Sequence, residues 1–114
     1  MKDSKVYLGH ILDAIYRIEV WVQDSTFEDF LDDSGLLQSS VIRQLEIIGE
    51  ASSRVRKEFM KTHPEIPWSS IVDMRNRLIH EYMTVDLDLT WDVIKSELPV
   101  LKAQIEEILR RSRC

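Results

Sequence analysis

Arg75 and His80, five positions apart in the run from Trp68 to Tyr82, are the side chains of this sequence best suited to chemistry. A guanidinium keeps its charge and pairs with anions; an imidazole takes or gives a proton near neutral pH. Laid on a helix at about 100° per residue, Trp68, Ile71, Val72, Leu78, Ile79 and Tyr82 gather within roughly 60° of the centre of one face. Arg75 falls in the middle of that apolar stripe. Asn76, Arg77 and His80 point the other way, with His80 about 140° round from Arg75 on an unbroken helix. Burying a guanidinium without a partner costs several kcal/mol. Arg75 therefore either meets an acid inside the fold or borders a cleft that receives something negative.

The residues Arg75-Asn76-Arg77-Leu78-Ile79-His80-Glu81-Tyr82 resemble the HEPN superfamily motif of arginine, four residues, histidine, any residue, tyrosine. The closest likeness is to its HepT branch. Ile66-Pro67-Trp68, Leu45 to Ala51, Tyr7-Leu8 with Ile11-Leu12, and Val85-Asp86 followed by Trp91 and Leu98-Pro99 are similar to that branch as well, so nearly the whole chain is covered. One departure is Asp73, where the branch usually has glycine or another small residue; it puts an acid on the polar face near His80. The resemblance implies an endoribonuclease toxin of a toxin–antitoxin pair, whose antitoxin is a minimal nucleotidyltransferase (MNT). It also implies a homodimer whose two motifs face each other across a cleft. In HepT relatives the MNT partner transfers AMP onto the motif tyrosine and silences the toxin, and by position Tyr82 is that acceptor.

RNA cleavage without metal needs a base for the 2′-OH proton, an acid for the leaving 5′-oxygen and a cation for the charge that builds on phosphorus. His80 suits proton transfer and Arg75 suits the phosphorane charge. The product is a 2′,3′-cyclic phosphate. The angle between the two side chains is an obstacle, because on a continuous helix they diverge. Either the helix ends or unwinds near His80, or a C2 dimer shares the site. Asn76 and Arg77 are supporting candidates for RNA phosphate. Arg43, Glu46, Glu50 and Arg54 form a polar stripe whose plain reading is a face laced with weak ion pairs. Its functional reading makes Glu46 or Glu50 the acid that Arg75 requires. The alternative to an enzyme is a non-catalytic helical module that binds a nucleotidyltransferase and carries the modified tyrosine.

A chain of 114 residues makes one domain, 1–114, large enough for a real core. The net charge of −5 argues against an avid, non-specific nucleic-acid binder, though a hydrolytic site needs only a local positive patch. The single cysteine, Cys114, cannot form an internal disulfide, which points to a reducing cytosol. The first apolar run is interrupted by His10, Asp13 and Arg17, so neither a signal peptide nor a membrane span is expected. No metal site or cofactor is expected either: His10, His63 and His80 are scattered, and no glycine-rich phosphate loop is present.

The elements that must position these residues are all helical. Leu8, Ile11, Leu12, Ile15, Ile18 and Val22 recur at helical spacing from about Lys5 to Val22, with Asp3 or Ser4 as cap. Thr26-Phe-Glu-Asp29 predicts a capping box and a short helix through Leu31, ended by Ser34-Gly35. The spacing of Val41, Leu45, Ile48, Ser52, Val55 and Phe59 predicts the longest element, between Leu36 and Met60. Gly49 inside it predicts a close helix approach. Pro64 and Pro67 bar helix before the motif, and residues 84–88 offer turn and cap. Trp91, Ile94, Leu98, Leu101, Ile105 and Ile108 then step by three and four, with Pro99 forcing a kink or opening a second helix. The fold expected is an all-α, HEPN-like antiparallel bundle of four to six helices, homodimeric.

Overall fold

A computed structural model describes residues 3–32, 36–81 and 84–111. Within them the architecture is all helical: α1 (Ser4–Val22), α2 (Phe27–Leu31), α3 (Leu37–Ser53), α4 (Lys57–Thr62), α5 (Trp68–His80), α6 (Leu87–Asp92), a π turn (Val93–Glu97) and α7 (Leu98–Arg111). Among the described residues there is no strand, and no helix is long and apolar enough to cross a membrane.

Three helix starts follow from their caps. Asp3 accepts from the Lys5 amide, Thr26 and Asp29 close a reciprocal capping box, and Asp86 accepts from the Leu89 amide. The apolar seams then decide the packing. Leu8, Ile11, Leu12, Ile15, Ile18 and Val22 of α1 are all buried, facing Val41, Leu45 and Ile48 of α3 and Leu101, Ile105 and Ile108 of α7 in one core. Helices α1 and α3 run antiparallel, because Arg17 reaches Gln44 while the Arg56 amide just beyond α3 reaches Ser4 Oγ. Helix α7 is antiparallel to α1 by the same logic, with Tyr16 on Glu106 and Lys102 on Glu19.

The chain departs from the sequence reading between Leu36 and Met60. That stretch is not one helix: α3 ends at Ser53 and α4 begins at Lys57, so α3 is shorter than α1. Ser52 and Ser53 donate their hydroxyls back to the carbonyls of Ile48 and Glu50, and the Arg56 amide is taken by Ser4. Side-chain and tertiary partners thus replace the helical ladder there. Val55 remains a core residue, though from a turn rather than a helix.

Pro99 acts in both expected ways at once. It occupies the second position of α7, where a missing amide proton is tolerated, and the turn before it widens, with the Leu98 amide on the Val93 carbonyl. The chain stays helical from 87 to 111 across this bulge. Ser34, Gly35, Tyr82, Arg113 and Cys114 lie outside the described residues, so the expected helix stop at Ser34-Gly35 and the placement of Tyr82 have no structural account.

Candidate functional site

Helix α5 rests on α3 at Gly49. A Cβ at that position would collide with Arg75 Cβ and lie 2.6 Å from its Cγ, so glycine is what lets the two backbones approach and lets the arginine stem pass. The stem is covered as a result, and the Arg75 side chain is 27% exposed. Its Nη2 donates to Glu50 Oε2 at 2.6 Å and its Nη1 to Asn76 Oδ1 at 2.8 Å. Arg75 Nε is buried with no hydrogen-bond partner among the described residues. Each Nη carries a second proton beyond the one given to these partners.

Of the two glutamates that could answer Arg75, the structure uses Glu50. The other oxygen of Glu50 accepts from Arg54 at 2.9 Å, so one carboxylate ties two guanidinium groups together. Glu46 pairs instead with Arg43 at 3.3 Å. Ion pairs within α3 and the Glu50–Arg75 pair to α5 thus share one face.

These residues line a groove of about 520 Å³. Its floor is α3, with Arg43, Glu46, Ile47, Glu50, Ala51 and Arg54; one wall is Arg75 and Ile79 of α5; the other is Tyr7 and His10 of α1. Tyr7 and His10 touch edge to face, ring centroids 6.0 Å apart. The sequence marks Tyr7 only as part of the family resemblance and His10 only as a scattered histidine, and neither as a site residue. They sit on the outward side of an ordinary amphipathic helix, and nothing local tells which neighbour that side will border.

His80 stands apart from this groove. Helix α5 is unbroken from Trp68 to His80, so His80, exposed at its last position, keeps the divergence of about 140° from Arg75 that the helical period sets. The helix does end there, with Glu81 as cap, but one residue too late to swing the imidazole round. Arg77 lies on the opposite groove, together with the exposed Asp73. The structure thus gathers Arg75, Asn76 and Glu50, and leaves His80 and Arg77 outside that group. Among the described residues no three His, Cys, Asp or Glu side chains cluster as metal ligands would.

The sequence matches the family described as "Ribonuclease HepT-like" over residues 11–108. The chain belongs to that HepT-like family. It is similar to a Methanocaldococcus jannaschii protein named "Gamma-glutamylcyclotransferase and putative RNase", 46% identical over 95% of this chain and 48% of the relative, and so spans about half of that relative's length. It is 44% identical to a Thermococcus cleftensis protein named "Probable ribonuclease HepT", over 94% of this chain and 96% of the relative. A Caldanaerobacter subterraneus protein named "Putative RNase" is 41% identical over 99% of this chain and all of its own length. No solved structure gives a significant match. On this HepT-like chain, then, the arginine and the histidine of the motif present themselves on different faces of one short helix.

Proposed function

We propose that this chain is a metal-independent endoribonuclease whose working site is assembled by two copies. Family membership and the names of the relatives support a ribonuclease. The observation that carries the finer reading is the unbroken α5, which sets Arg75 into a groove and His80 outside it. A two-fold partner supplies the missing group: its His80 enters the Arg75 groove, and by symmetry the reverse holds. His80 takes the 2′-OH proton, and Arg75 holds the non-bridging oxygens as charge accumulates on phosphorus. Asn76 fixes the guanidinium plane. The chain is the toxin of a toxin–antitoxin pair, and an MNT nucleotidyltransferase silences it by placing AMP on Tyr82, which adds an anion and a purine beside a cationic cleft.

The test is RNA cleavage by the purified protein in EDTA, followed by end-group analysis, with a 2′,3′-cyclic phosphate expected. Arg75→Ala and His80→Ala should each abolish cleavage. Mixed subunits of the two variants should regain part of it, because a mixed dimer keeps one intact composite site. A monomer by light scattering at micromolar concentration, or mixing without recovery, sinks the shared site. With MNT, ATP and Mg²⁺, the mass of AMP should appear on Tyr82, and Tyr82→Phe should escape silencing.

A second reading draws on Glu50, whose carboxylate already neutralises Arg75. It makes the chain a non-catalytic module that binds the nucleotidyltransferase and presents Tyr82. Absence of cleavage by the wild type favours it, whereas cleavage that survives in both single variants removes the Arg75–His80 site.

A further inference from the structure

We infer that His10 of α1 is a second proton-transfer group of the Arg75 groove, the acid that protonates the leaving 5′-oxygen. This rests on the ribonuclease reading above. Transesterification needs two proton transfers on opposite sides of the phosphorus, and the motif supplies one imidazole per chain. The groove that holds Arg75 contains its own imidazole, and it is not the one in the motif. His10 lines the wall opposite Arg75, across the floor made by α3. A phosphate bound at Arg75 in this groove has His10 on the facing wall, on the side where the acid is needed.

The neighbours of His10 leave it that role. From α3 it faces Arg43, Glu46, Glu50 and Arg54, and from α5 it faces Arg75. Both glutamates are engaged, Glu46 by Arg43 and Glu50 by Arg54 and Arg75. A guanidinium is not a side-chain type that serves as a general acid. Tyr7, on α1 itself, meets the imidazole edge to face and restricts its orientation. Among the described residues lining the groove, His10 is the one imidazole, the side-chain type suited both to giving and to taking a proton.

The step balances as follows. The 2′-oxygen attacks phosphorus and its proton passes to His80 of a second copy. The bond from phosphorus to the 5′-oxygen breaks, and that oxygen receives the proton of the His10 imidazolium. The products are a 2′,3′-cyclic phosphate and a free 5′-hydroxyl; solvent water returns both histidines to their starting states.

The experiment compares two RNA substrates at the cleavage position mapped with the wild type. One is natural; the other carries a bridging 5′-sulfur, whose thiolate leaves without a proton. His10→Ala and His10→Gln are expected to slow cleavage of natural RNA by about 100-fold or more, and to lose less than about tenfold on the sulfur substrate. His80→Ala should lose equally on both, since the 2′-OH proton must be removed in either case. In the pH–rate profile of natural RNA, the fall on the alkaline side belongs to the acid and should vanish in His10→Ala. Natural-RNA rates within about threefold of wild type in both His10 variants overturn the inference and leave the ribonuclease reading standing, as does an equal loss on both substrates, which marks a structural role. A wild type that yields no cyclic phosphate overturns the ribonuclease reading itself, and this inference with it.

Discussion

Helix α5 separates two grooves of nearly equal size, about 520 Å³ toward α1 and about 560 Å³ toward α6 and α7. Volume does not distinguish them; the placement of charge does. The first has a polar floor, where three arginines are held by two glutamates and the Arg75 stem is buried beneath its charged head. The second is floored by Ile48, Ile71, Leu78, Leu98 and Leu101, with Asp73, Arg77 and Glu81 at its edge. A guanidinium that is oriented by a carboxylate and an amide needs no reorganisation when an anion arrives. An exposed one such as Arg77 must be ordered first, which costs side-chain entropy. Fixation, more than the number of cations, distinguishes the groove to which the proposed reaction is assigned.

The contrast is broken most directly by removing one arginine from each side. Arg75→Ala should lower cleavage by about 100-fold or more, and Arg77→Ala should stay within about threefold. Initial rates on one RNA decide it, and equal losses would erase the distinction between the grooves.

Next in size is Gly49→Ala. The added methyl meets Arg75 Cβ and Cγ, so α5 must lift from α3 or the arginine must move. Overpacking of this kind costs about 1–3 kcal/mol, to be read in urea unfolding, and should cut cleavage because the guanidinium is displaced. Alanine at Gly9, inside α1 and with nothing from another element within 4 Å of the would-be Cβ, should stabilise by about 0.5–1 kcal/mol through helix propensity and leave the rate within error.

The smallest effect lies away from both grooves. The Tyr16 hydroxyl donates to Glu106 at 2.6 Å, and that bond, with some burial and the nearby Glu106, Glu19 and Asp13 charges, pushes its pKa up to about 12. A folded pKa above the unfolded one means the contribution is complete below about pH 10 and fades as pH rises through about 12. Tyr16→Phe should therefore flatten the alkaline fall in melting temperature over that window while leaving cleavage at pH 7 unchanged.

What the sequence determined by itself is local. The cap at Thr26, the cap regions at Asp3-Ser4 and 84–88 (from which the structure selects Asp3 and Asp86), the apolar seams of α1 and α7, and a close approach at Gly49 follow from periodicity and from the donors a helix end leaves open. So does the divergence of Arg75 and His80, a matter of counting along one helix. Tertiary structure decided the rest. The helical seam from Val41 to Phe59 is continuous on paper, yet α3 stops at Ser53 because the Arg56 amide finds Ser4, fifty-two positions away. Glu46 and Glu50 stand on one stripe of one helix, and only the crossing of α3 with α5 at Gly49 gives Arg75 to Glu50. His10 was a scattered histidine until α1 was laid beside that crossing. Helical period fixes which side chains share a face; only the packing of one helix on another fixes what that face meets.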